Sequence, residues 1–99
     1  MHKLENKVAI ITGATSGMGK AIAISFVANG AQVILSGRDE TRGNALSAEL
    51  GKNAVFVAGD IRISEYNEQL VNAAIHHFGK LDIVSMNAGI LGIGSVTDL

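Results

Sequence analysis

Val8-Ala9-Ile10-Ile11, Thr12-Gly13-Ala14-Thr15-Ser16-Gly17-Met18-Gly19 and Ala21-Ile22-Ala23-Ile24-Ser25-Phe26-Val27-Ala28 follow one another near the start of the chain, and their succession decides how the rest is read. The first run is short, continuously apolar and rich in β-branched residues, as in a strand buried on both faces. The last run has the apolar content of a helix. Between them lies a turn with glycines spaced Gly-x-x-x-Gly-x-Gly. Such a turn opens on the first turn of a helix, where backbone N–H groups lack partners and the helix dipole is positive. Gly13, Gly17 and Gly19 let the chain bend sharply and let an anion such as a pyrophosphate come close. Thr15 and Ser16 add hydroxyls that either cap the helix or touch that ligand. The plainer alternative is an ordinary capped strand-to-helix turn.

Outward from this turn, the chain reads as alternating strands and helices. The first strand spans Lys7–Thr12 and the first helix Gly17–Asn29, stopped by Asn29-Gly30. That helix is apolar nearly all round, so a sheet and neighbouring elements are expected to cover it. A second strand follows at Gln32–Ser36. A second helix, capped by Asp39 or Thr41, runs through Leu50 and closes at Gly51. The third strand is Ala54–Ala58. Ser64, followed by Glu65 and Glu68, reads as the N-cap of a third helix whose stripe of Leu70, Val71, Ala74 and Phe78 faces the core. Gly79 ends it, and Leu81–Ser85 is the fourth strand. Strand–helix alternation implies a parallel sheet with right-handed crossovers and an expected order of 3-2-1-4.

In a sheet of that kind ligands bind beyond the carboxyl ends of the strands, where the order reverses. Four informative stretches fall at those ends: the glycine turn, Gly37-Arg38, Gly59-Asp60-Ile61 and Asn87-Ala88-Gly89. Arg38 offers a fork of donors suited to phosphate, or is a solvated turn charge. Asp60 has a carboxylate that accepts from an amino group, or caps a turn. His76 and His77 are adjacent on a helix, do not share a face and sit near its C-terminus, where they suit the dipole; they are read as structural.

Bulk properties narrow the classes. The chain has 99 residues, 47% of them apolar, which suits one small packed domain. A formal net charge of −1, from eight basic and nine acidic residues, gives no basic footprint for nucleic acid or an acidic membrane surface. There is no cysteine, which excludes disulfides and thiolate chemistry. No apolar run approaches the length of a membrane span, and the first residues lack the apolar core of a signal peptide, so a cytoplasmic protein is expected.

Thr12-Gly13-x-x-x-Gly17-x-Gly19 after an N-terminal strand, with Gly59-Asp60-Ile61 and Asn87-Ala88-Gly89 downstream, resembles the short-chain dehydrogenase/reductase family, along the whole chain. The resemblance implies a Rossmann-type, doubly wound α/β sheet, here of about four strands and truncated, because family members are much longer. It implies a dinucleotide cofactor held by Gly13, Thr15, Ser16, Gly17, Met18, Gly19, Arg38, Asp60, Ile61, Asn87, Ala88 and Gly89. Gly37-Arg38, in place of an acid at the end of the second strand, implies NADP(H) as the preferred cofactor; the adjacent Asp39 keeps NAD(H) open. Asp60 would accept from the adenine amino group, with Ile61 packed on the ring. Two positions depart from the family pattern: Met86 stands where a second Asn is usual, and Met18 where a branched aliphatic residue is usual.

The family's catalytic Tyr and Lys stand four residues apart, helped by Ser and Asn. Four residues after Tyr66, the sole tyrosine, stands Leu70, so no catalytic residue is assigned and the isolated chain is expected to catalyse nothing. The expected activity is therefore the cofactor-binding part of an oxidoreductase that moves hydride to or from a carbonyl or alcohol. The alternatives are an inactive dinucleotide-binding module or an interaction protein. A sheet ending at the fourth strand has an open edge, with Ile83 and Val84 apolar on opposite faces, so a homo-oligomer or edge-to-edge association is expected.

Overall fold

The computed structural model describes residues 3–86. The elements run β1 (Val8–Ile11), α1 (Gly17–Ala28), β2 (Gln32–Gly37), α2 (Glu40–Leu50), a short 3-10 turn at Gly51–Asn53, β3 (Ala54–Ala58), α3 (Ser64–Phe78) and β4 (Ile83–Ser85). All pairings are parallel and the order is β3-β2-β1-β4, as the strand–helix alternation implies. Ile10 stands level with Ile34 on one side and Val84 on the other.

The central strands are apolar on both faces because helices cover both. Ala9, Ile11, Val33 and Leu35 point to the side of α1 and α2, with Ala23, Leu46 and Phe56. Val8, Ile10 and Ile34 point the other way and meet Tyr66, Leu70 and Ala74 of α3. This two-sided burial is why β1 and β2 read as unbroken apolar runs rather than alternating ones.

Asp39, not Thr41, caps α2: its side chain accepts the Arg42 N–H at 3.0 Å. Two expectations need correction. Ser64 is the first helical residue of α3, and Ile63 stands at the cap with no side-chain bond. The turn before α3 is closed instead by Asp60, whose carbonyl accepts the Ile63 N–H at 3.0 Å. Nor is α1 covered all round. Only Gly19 and Ala23 are buried, and Ile24 is among the exposed large apolar residues.

β4 is tied to β1 at its start. The Asp82 carboxylate accepts the Val8 N–H at 2.8 Å, and the Asp82 N–H donates to the Val8 carbonyl at 2.8 Å. The Val8 N–H, with Lys80 Nζ at 3.4 Å, holds the Asp82 carboxyl below its ordinary range. A carboxylate with a depressed folded pKa adds stability above its unfolded pKa, and that stability is lost as pH falls through the folded value. Asp82→Asn is therefore expected to lower stability at neutral pH and to flatten its decline below about pH 4. Urea unfolding across pH checks this; parallel pH profiles for the two proteins would refute it.

Candidate functional site

The glycine turn leaves β1 with its backbone anchored on both neighbouring strands. The Thr12 N–H donates to Ser85 of β4 at 2.9 Å, and its hydroxyl reaches the same carbonyl at 3.2 Å. The Ala14 N–H donates to Ser36 of β2 at 2.9 Å. Gly13 takes φ 62°, a conformation glycine adopts without steric cost. Ser16 is the N-cap of α1: its hydroxyl donates to the Gly13 carbonyl at 2.7 Å and accepts the Gly19 N–H at 3.4 Å.

The first turn of α1 carries no acid, so nothing on the helix offsets its positive end. A Cβ on Gly17 would meet nothing within 4 Å, so the space over the helix start is open. Met18 is 71% exposed beside it. An open helix start, an unopposed dipole and a glycine turn fit the phosphates of a dinucleotide. A groove of about 350 Å³ continues from this turn between α1 and α2, bordered by Thr15, Ser16, Gly17, Lys20, Arg42 and Leu46. Lys20 and Arg42 bring positive charge to that border and Glu49 an opposing negative one; neither cation was singled out by sequence, although Lys20 lies one helical turn after Ser16.

The ends of β2 and β3 converge on the same edge. A Cβ on Gly37 would lie 3.1 and 3.2 Å from the Thr15 side chain, so any larger residue there would crowd the glycine turn. The Gly59 N–H donates to the Gly37 carbonyl at 3.0 Å, which locks the two strand ends together. Arg38 and Asp60 are thereby brought within 3.9 Å, Nη1 to Oδ2, with the Arg38 side chain 74% exposed. Asp39, by contrast, is engaged in capping α2 and lies 3.5 Å from Arg42 Nε.

Asp60 is a turn residue as well as a strand-end acid. Its Oδ1 accepts the Arg62 N–H at 2.9 Å, and the Arg62 guanidinium grips both oxygens, with Nη2 2.7 Å from Oδ2. These bonds from Arg62, with Arg38 adding its charge, hold the Asp60 carboxyl well below the usual range. Ile61 packs against the α3-side core. Sequence reading missed Arg62; the signal was there, in an Asp followed two residues later by an Arg across a turn.

Behind this edge stands Tyr66. Its hydroxyl lies 2.8 Å from the Ser36 hydroxyl and donates to the Val57 carbonyl at 2.6 Å. Burial pushes its pKa up, which suits a packed phenol. Asn87, Ala88 and Gly89, the fourth expected contribution, lie outside the described residues. No group of three His, Cys, Asp or Glu among the described residues is placed to hold a metal ion. No helix of the described residues is long and apolar enough to cross a membrane.

Comparison with known proteins agrees with this geometry. The family described as short chain dehydrogenase matches residues 7–99. An uncharacterized oxidoreductase of Staphylococcus epidermidis is 39% identical over 99% of this chain and 43% of its own length. The L-fucose dehydrogenase of Oryctolagus cuniculus is 45% identical over 84% of this chain and 29% of its own. Among solved structures, the 3-ketoacyl-(acyl-carrier-protein) reductase of Brucella melitensis, complexed with NADH, superposes with a TM-score of 0.81. It is 41% identical and covers 84% of this chain and 34% of its own. The apo glucose dehydrogenase of Caenorhabditis elegans gives a TM-score of 0.83 at 32% identity, over 88% of this chain and 39% of its own. The chain thus spans less than half the length of these relatives. Its parallel 3-2-1-4 sheet, its glycine turn and the family match from Lys7 to Leu99 together show that it belongs to the short-chain dehydrogenase family of oxidoreductases.

Proposed function

We propose that this chain is the cofactor-binding part of an NADP(H)-preferring oxidoreductase that moves hydride between nicotinamide and a carbonyl or alcohol. The observation that carries the reading is the convergence of the glycine turn, Arg38 and Asp60 on one edge of the sheet. The cofactor, when bound, supplies the hydride chemistry; the residues described here bind and orient it. Backbone N–H groups at the start of α1 face the pyrophosphate, flanked by the glycines, Thr15, Ser16 and Met18. Asp60 and Ile61 border the adenine, and the family resemblance adds Asn87, Ala88 and Gly89, which lie outside the described residues.

Three facts favour the 2′-phosphate. Gly37 offers no carboxylate to the ribose, and an acid there would crowd Thr15. Asp39, the nearest alternative, is already committed to the α2 cap and Arg42. Arg38 is exposed with a fork of donors at the place a 2′-phosphate would occupy. The NADH held by the Brucella reductase favours NAD(H) as the second reading.

Arg38→Ala separates them. Charge-assisted bonds to phosphate predict a loss of NADPH affinity on the order of ten- to a hundredfold, with NADH affinity little changed. Equal weakening of both cofactors in calorimetric titration would overturn the NADP(H) preference.

A further inference from the structure

Asp60 is shared unequally between two arginines. Arg62 donates to it from Nε, at 3.0 Å to Oδ1 and 3.1 Å to Oδ2, from Nη2 at 2.7 Å to Oδ2, and from its backbone N–H at 2.9 Å to Oδ1. A carboxylate has two oxygens and about four acceptor positions, so Arg62 alone nearly fills them. Arg38 stands at 3.9 Å, within reach of the charge but beyond hydrogen-bond distance. Its guanidinium donors are thus left uncommitted by Asp60 although the carboxylate is its nearest anion.

We infer that Arg62 is a positioning residue for cofactor choice: by saturating Asp60 it keeps the Arg38 guanidinium uncommitted for the 2′-phosphate of the adenosine ribose. The inference rests on the NADP(H) reading above. Its logic is competition. Arg38 is tethered beside Asp60 because the Gly59 N–H to Gly37 carbonyl bond fixes the two strand ends. Without the Arg62 fork, the vacated oxygens of Asp60 are the nearest acceptors for Arg38. A bidentate Arg38–Asp60 pair would form, and a 2′-phosphate would first have to break it. NADH, lacking that phosphate, needs no such exchange. Any direct contact of Asp60 with the adenine affects both cofactors alike, so the ratio of their dissociation constants isolates the effect.

The test is calorimetric titration of NADPH and NADH against the intact protein and the variants Arg62→Met, Arg62→Lys and Arg62→Met/Asp60→Asn. Arg62 is a solvent-facing side chain, 72% exposed, and circular dichroism checks that each variant folds. In Arg62→Met the NADPH preference is expected to fall by roughly two- to fivefold, the scale of an exposed ion pair. Arg62→Lys keeps the charge but covers the carboxylate with a single point donor, so the preference should fall part of the way. The double variant, having no carboxylate to capture Arg38, should recover the original ratio. An unchanged ratio in Arg62→Met would overturn the inference. So would a lysine variant equal to the original protein, since charge alone would then suffice. A double variant that stays low would do the same. An original protein that binds NADH as tightly as NADPH would instead overturn the NADP(H) reading, and this inference with it.

Discussion

Gly19→Val is expected to remove dinucleotide binding, with a loss of more than about a hundredfold, equivalent to two charge-assisted hydrogen bonds or more. A Cβ at Gly19 would fall on the carbonyl oxygen of Gly13, and would lie 2.6 Å from its carbonyl carbon and 3.0 Å from the Ala14 Cα. These are backbone atoms and cannot swing aside. Relief requires the Gly13 peptide to move, and that peptide accepts the Ser16 hydroxyl which caps α1. The cap, the turn and the direction of the helix N–H groups would therefore be lost together. Sequence reasoning attributes the need for glycine here to the room a pyrophosphate takes; the structure adds the packing of the helix on its own turn. Gly17→Ala is the matched control. Its Cβ meets no protein atom within 4 Å, so that variant should fold normally and lose affinity only if the ligand passes there. Unchanged affinity in a folded Gly19→Val protein would show that the turn is not a binding element.

Tyr66→Ala is expected to cost about 3–5 kcal/mol of stability, as for other large aromatic truncations in cores. The ring is 5% exposed and packs beneath Gly59, where a Cβ would strike it. Its hydroxyl joins Ser36 of β2 to the Val57 carbonyl of β3, across the two strand ends that carry Arg38 and Asp60. Truncation leaves a cavity and removes the Tyr66 partner of the fully buried Ser36 hydroxyl. Tyr66→Phe keeps the ring and should cost less, about 1–3 kcal/mol, from the unmet polar groups. Urea unfolding of the three proteins checks the ranking. Equal stability of Tyr66→Phe and the original would mean that the hydroxyl does not bind the strands together. The role is structural, as its place early in a helix with Leu70 four residues on implies.

The strand order was legible because it needs only the alternation of strands and helices and the right-handedness of crossovers. The glycine turn was legible because its spacing sits between a buried strand and a helix start. Asp39 was legible as one of two caps, and only the fold separates it from Thr41, since the two flank Glu40, where the helix begins. Ser64 misled for a physical reason. A serine before two acids has the pattern of a cap, but the Asp60 carbonyl already closes the turn through the Ile63 N–H. Arg62 was not legible as a site residue because its importance lies in a shared partner: Arg38 precedes Asp60 by a whole helix and strand, and only the fold brings them together. Gly43 carries a similar lesson. It sits inside α2, where glycine is costly, because the Phe56 ring of β3 occupies the place its Cβ would need.

The proposed cofactor site fixes where a dinucleotide contacts this chain. Amide-resolved chemical-shift mapping during titration with NADPH measures that directly. The expected result is saturable shifts largest at Ser16–Gly19, with a second group at Gly37–Asp39 and at Asp60, on three separate strand ends. Saturable shifts confined to other surfaces, or no shifts at saturating NADPH, would contradict it.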